Sequence, residues 1–227
     1  MGQQFEVASI RPSSADSGSS SGIKTGHGRL DARNVTVKRC IIGASGVGPH
    51  QISGGPTWFD TERFDISAKA DQPVDDDASL MIMLQKLLQG RFRLVIHHET
   101  KQMPALVIEV GRNGPKMEKA TPGEAGTNTS GTNAGIIIDA HNTDMDLFAR
   151  VLAREMDLPV VNQTGLEGVF NFKLSWAREN AAPERDGAAQ GPSIFTAGQD
   201  QLGLHLRSQK APVDLLVIDH LELPSAN

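Results

Sequence analysis

From Leu80 to Val110 the apolar residues change their spacing. Leu80, Met83, Leu84, Leu87 and Leu88 fall three and four residues apart, which is one face of a helix. Leu94 to Ile96 and Leu106 to Ile108 are then short apolar runs around the polar stretch His97 to Gln102. That pattern predicts a strand, a short turn and a second strand. A weaker copy occupies Ile194 to His220. Leu94 and Ile96 match Leu204 and Leu206, and Leu106-Val107-Ile108-Glu109 matches Leu216-Val217-Ile218-Asp219, both at an offset of 110 residues. Upstream, Asp31-Ala32-Arg33-Asn34 answers Asp139-Ala140-His141-Asn142 at an offset of 108, and Phe64-Asp65-Ile66 answers Phe170-Asn171-Phe172 at 106. Three blocks in one order, with drift confined to the intervening loops, read as an internal duplication.

The remaining elements follow from alternation and punctuation. Phe5 to Ile10, Arg29 to Val35, Phe64 to Ala70, Ile136 to Ile138 and Phe170 to Trp176 read as strands. Thr36 and Asp144 stand before helical runs as N-caps, and Asp75-Asp76-Asp77 precedes the Leu80 to Leu88 stripe in the same role. Residues 13–27, 113–132 and 178–190 are rich in Gly, Ser, Asn and Pro and are predicted to lack regular structure. The expected fold class is α+β, with two pseudo-repeated modules, each βαββαββ-like, whose small mixed sheets pack on helices. The division is 1–28 (strand and Gly/Ser-rich loop), 29–112 (first module), 113–134 (linker) and 135–227 (second module). Leu215 to Ile218, four consecutive apolar residues, are expected in a core, with Glu109 and Asp219 turned to solvent or a partner.

Charge and composition narrow the function classes. A formal net charge of -5 argues against a nucleic-acid binder. No stretch approaches the ~18 apolar residues of a membrane span. The single Cys40 cannot form an internal disulfide, and its neighbours Val37, Ile41 and Ala44 predict a buried thiol. Met1-Gly2-Gln3 shows no charged region followed by an apolar one, the pattern expected of a signal peptide.

Candidate chemistry is sparse. The Gly-rich loop has neither phosphate-binding spacing, and HExxH and an EF-hand loop are absent. His97 and His98 are strand neighbours, so they point to opposite faces and do not share one ion. The densest set of hard donors is Asp139, His141, Asp144 and Asp146. Asp139, His141 and Asp144 are the candidate catalytic residues, and Asp139, Asp144 and Asp146 the candidate ligands of a calcium ion. The competing reading makes Asp144 a helix cap and Asp146 a partner of the helix dipole. No other cofactor is expected.

The blocks FEVASIRP, ISGGPTWFDTERFDISAKA, LPVVNQTGLEGVFNF and GPSIFTAGQDQLGLHLRSQKAPVDLLVIDHLELP resemble a family of unknown function abundant in soil acidobacteria. Members usually carry an export signal just before the first block. The resemblance therefore implies an exported protein, periplasmic or extracellular, with that signal replaced by Met1-Gly2; it brings no catalytic residues. More distantly, Gln201-Leu202-Gly203-Leu204-His205-Leu206 is similar to part of the small N-terminal domain of secretins and TonB-dependent receptors, as Leu88 to Phe92 is more loosely. That likeness implies a docking module. The expected function is binding of a protein or small-molecule partner, through open sheet edges. The alternative is a hydrolase of small esters or lactones, calcium-assisted, working at Asp139 to Asp146.

Overall fold

The structure is a computed structural model, and it describes residues 4–15, 19–72, 74, 76–132, 135–178 and 191–224. The strands and helices in chain order are β1 (Phe5–Pro12), β2 (Gly22–Gly26), β3 (Arg29–Thr36), α1 (Val37–Ser45), β4 (Ile52–Gly54), β5 (Arg63–Ala70), α2 (Asp77–Arg91) and β6 (Val95–Val110). They continue with β7 (Glu118–Ala120), β8 (Gly126–Gly131), β9 (Gly135–Thr143), α3 (Met145–Ala153), β10 (Val160–Asn162), β11 (Val169–Ala177), α4 (Ile194–Ala197) and β12 (Leu204–His220). The class is α+β, as expected.

The predicted caps do the local work of turning strand into helix. The Thr36 hydroxyl accepts from the Arg39 amide at 3.2 Å, and the Asp144 carboxylate from the Leu147 amide at 2.7 Å. In the acidic run before α2 it is Asp76 that caps, accepting from the Ser79 amide at 2.7 Å. Each satisfies one of the free N–H groups that open a helix.

Two compact units result, residues 1–99 with 214–227, and residues 100–213. In the first, β1, β5, β3 and β2 form an antiparallel sheet in that order. Its inward side chains (Leu30, Val35, Phe64, Ile66) share one core with Cys40 and Ile41 of α1 and with Leu84 and Leu88 of α2. Phe64 and Phe92 meet edge to face at 5.5 Å. Leu216 and Ile218 complete that core, and β4 pairs in parallel with Leu216–Ile218.

In the second unit the antiparallel order is β7, β11, β9, β8. Ile136, Ile138, Leu174 and Trp176 share a core with Met145, Phe148 and Leu152 of α3 and with Ile194 of α4. Phe148 and Phe172 pack edge to face at 5.0 Å. Leu106 and Ile108 complete this core, and β10 pairs in parallel with Leu106–Ile108.

Both main sheets carry a bulge at an asparagine in left-handed backbone. Asn34 has φ 52° and Asn142 φ 47°. The Asn34 amide donates to Asp65 Oδ1 at 2.8 Å, and the Asn142 amide to Asn171 Oδ1 at 3.0 Å. The side chain opposite thus accepts from the amide that the bulge takes out of the ladder.

The structure departs from the predicted elements in two ways. Where a strand, turn and strand were predicted, β6 and β12 are each a single strand, of 16 and 17 residues. His97 to Gln102 is exposed throughout, so both faces of β6 tolerate polar residues there and the alternation that marks a strand is lost. Residues 13–27 and 113–132, predicted to be irregular, contain β2, β7 and β8. These sit at or near sheet edges with little buried surface, so backbone pairing, not side-chain pattern, makes them strands. Of the third predicted irregular stretch, residues 179–190 lie outside the described residues.

Candidate docking site

The acidic cluster read from the sequence is divided among separate tasks. Asp139 and His141 lie two apart on β9, with His141 Nε2 3.2 Å from Asp139 Oδ1 and both side chains well exposed. Asp144 turns to the Leu147 amide as the α3 cap. Asp146 Oδ1 accepts from Asn162 Nδ2 at 2.7 Å, tying α3 to β10. Among the described residues no three His, Cys, Asp or Glu side chains gather as a metal-ligand set.

Cys40 is fully buried in the first core. Burial pushes its thiol up to about 12, the Arg39 charge opposing in the smaller sense. The fold therefore favours the protonated thiol. The stability this contributes is complete below the unfolded thiol's ordinary range of ~8.5–9 and is lost as pH rises towards the folded value. Iodoacetamide at pH 8 is expected to leave Cys40 unmodified until denaturant is added. Cys40→Ala is expected to lose less stability than the wild type between pH 9 and 11. Rapid labelling of the native protein would contradict this.

His97 and Asp219 form a cross-strand pair, with His97 Nδ1 2.9 Å from both carboxylate oxygens. Arg207 Nε stands 3.6 Å from Glu109 in the second unit. Glu109 and Asp219, which end matching apolar runs, thus both lie beside a basic side chain. Exposed pairs of this kind contribute only about 0–1 kcal/mol. Asp219→Ala is expected to move the melting temperature by no more than about 4 °C.

A different feature of the second unit is suited to binding. β8, with the sequence GTNTSG, ends its sheet, and all six residues are exposed. Its register with β9 is unbroken from Gly126↔His141 to Gly131↔Ile136. It contains no charge and no proline, and no bulge interrupts it. Those are the devices by which exposed edges are usually kept from pairing with another chain. The free edge of β11, in contrast, is closed. Gln201 accepts from the Ser175 amide at 2.9 Å and donates to its carbonyl at 2.8 Å, and the Ala177 amide donates to Pro192 O at 2.9 Å.

Beside the end of β8 lies a cavity of about 350 Å³, lined by Ser130, Gly131, Ile136, Ile137, Trp176 and Pro192 among others. Ile137 stands on its wall 38 % exposed. The Arg178 side chain reaches the same end of the strand, where its Nε donates to the Thr132 carbonyl at 3.2 Å. A backbone edge, an apolar hollow and a cation are thus adjacent. In the sequence Gly126 to Gly131 reads as part of a linker, which hides this edge. The one signal it offers is a run of small uncharged side chains, which does not distinguish a bare edge from a loop.

These features define an α+β protein of two compact units, the second ending, among the described residues, in a sheet edge without charge, proline or bulge. Residues 38–221 match the family described as "Protein of unknown function (DUF3738)", and the chain belongs to that family. No curated protein and no solved structure matches the chain. Among the described residues no helix is long and apolar enough to cross a membrane.

Proposed function

We propose that the chain is an exported docking module, made of two copies of one structural repeat, that binds an extended segment of a partner protein along β8. The observation that carries the reading is the unguarded edge of Gly126–Gly131 beside the Ile137 and Trp176 cavity. Strand addition draws affinity from main-chain hydrogen bonds and specificity from pockets for alternate side chains. Here the cavity suits one apolar side chain of the incoming segment, and Arg178 suits a carboxylate close by. Export rests on the resemblance at the FEVASIRP block.

The duplication is supported by the order of elements. Each half runs three strands, a helix, two strands, a helix and a long strand. The two main sheets have equivalent strand orders, with β7, β8, β9 and β11 in the places of β1, β2, β3 and β5. Asn34 with Asp65 and Asn142 with Asn171 make the same bulge contact at the matched sequence blocks. On this reading β1 and β2 belong to the first repeat and β7 and β8 to the second, so the repeats span about 1–112 and 113–227.

The reading is tested by selecting a displayed library of extended peptides on the full chain. Enriched peptides are expected to share an apolar residue flanked by an acidic one. Ser130→Lys and Asn128→Lys place a charge on the edge and are expected to weaken binding by about tenfold or more. Asp139→Asn is expected to bind as the wild type does. Failure to enrich any peptide, or equal binding by the edge variants, would refute the docking site. Calcium-dependent hydrolysis of an ester or lactone, abolished by Asp139→Asn, would put the hydrolase reading in its place.

A further inference from the structure

We infer that the two halves of the chain are each other's binding partners, joined by mutual exchange of their last strands. The first compact unit is built from residues 1–99 but is completed by 214–227, and the second, residues 100–213, begins with the end of β6. In sequence terms each unit is one repeat finished by the closing strand of the other.

The two exchanges use matching residues. β4 pairs in parallel with Leu216–Ile218, and β10 in parallel with Leu106–Ile108. Leu216 and Leu106 are 110 residues apart, and Ile52 and Val160 are 108 apart. The arriving strand brings two apolar side chains into each core, Leu216 and Ile218 in the first and Leu106 and Ile108 in the second. Main-chain bonds hold its flanks: the Leu106 amide donates to Pro159 O at 2.8 Å, the Gln163 amide to Ile108 O at 2.8 Å, and the Glu222 amide to Phe92 O at 2.8 Å. Without the arriving strand, β4 and β10 lose the strand each pairs with in its unit, and each core loses two buried residues. The receiving surface reads only the strand, not the covalent path that delivers it. The peptide link between repeats, near Arg112, is therefore dispensable once the chain has folded, and the strand of a second copy fits as well. Exchange of identical elements between protomers is a low-cost route to association.

The test uses the full chain with a protease site inserted between Arg112 and Asn113, both exposed. After cleavage the fragments are expected to co-elute at the mass of the intact protein and to separate only on unfolding. When two cleaved pools, one tagged on its N-terminal fragment, are unfolded together and refolded, the tag is expected to bring down C-terminal fragment from the untagged pool. Fragments that part in native buffer, each folded alone, would overturn the inference. If the insertion prevents folding, residue-resolved hydrogen exchange on Leu216→Ala and Leu106→Ala decides. Leu216→Ala is expected to speed exchange by about tenfold or more at residues 30–41 and 64–66 while sparing 136–152, with Leu106→Ala doing the reverse. Leu216→Ala loosening 136–152 in preference to 30–41 would overturn it equally.

Discussion

Ile218→Asp is expected to yield no soluble folded protein. Ile218 lies in the first core, 5 % exposed, on the strand that pairs with β4. Its side chain fills the space over Gly55, where an added Cβ would come within 3.1 Å of Ile218 Cδ1. Removing a buried isoleucine side chain costs ~2–5 kcal/mol before any charge is considered. A carboxylate in its place would lie in the apolar core that holds Leu30, Ile41, Phe59 and Leu216. An unpaired buried charge adds several kcal/mol more, or forces protonation at comparable cost. Against a total of ~5–15 kcal/mol the native state does not survive. Far-ultraviolet circular dichroism and the soluble fraction measure this. A cooperative melt within a few degrees of the wild type would contradict the placement of Ile218.

Gly203→Ala and Arg93→Gly are expected to act in opposite directions at corresponding places. Both positions follow a helical turn, precede a long strand and adopt left-handed backbone, with φ 53° at Arg93 and 68° at Gly203. A Cβ on Gly203 would run into the Gly114 carbonyl oxygen and would stand 3.0 Å from the Lys116 amide nitrogen. The second unit uses that close approach, because Gly111 donates to Gly203 O and Lys116 to Leu202 O, both at 2.8 Å. Left-handed strain of ~1–2 kcal/mol and backbone displacement of ~1–3 kcal/mol combine in Gly203→Ala. Its melting temperature is expected to fall by roughly 5–15 °C. Arg93 follows Phe92, the C-cap of α2, at a place where glycine is the usual choice, and it is exposed. Arg93→Gly trades left-handed strain for unfolded-chain entropy and is expected to be neutral or to raise the melting temperature by up to about 3 °C. A Gly203→Ala variant as stable as the wild type would contradict the tight turn.

Where side chains are buried on one face, the sequence was legible. Thr36, Asp144, the Leu80 to Leu88 stripe and Leu215 to Ile218 stand where periodicity and cap chemistry put them. β7, Glu-Lys-Ala, and β8, of Gly, Thr, Asn and Ser, were not legible, because strands so exposed bury little and their pairing is a property of their neighbours. The unbroken course of β6 and β12 was hidden for the same reason: one stretch of each, His97 to Gln102 and Arg207 to Lys210, is exposed on both faces. The candidate residues Asp139, His141, Asp144 and Asp146 are close in sequence but stand on two elements. Asp139 and His141 lie on a strand and Asp144 and Asp146 at a helix start, and their carboxylates have separate partners. The bare edge of β8 needed the sheet order, which no local pattern encodes.

The central claim, that β8 receives a partner strand, is tested most directly by amide hydrogen exchange across Gly126 to Gly131 with and without a peptide selected on the full chain. β8 is an edge strand, so its outward amides are expected to exchange quickly in the free protein and to slow by about tenfold or more at saturating peptide, while residues 22–26 of β2 stay unchanged. Peptide binding that leaves Gly126 to Gly131 as fast as before would contradict the claim.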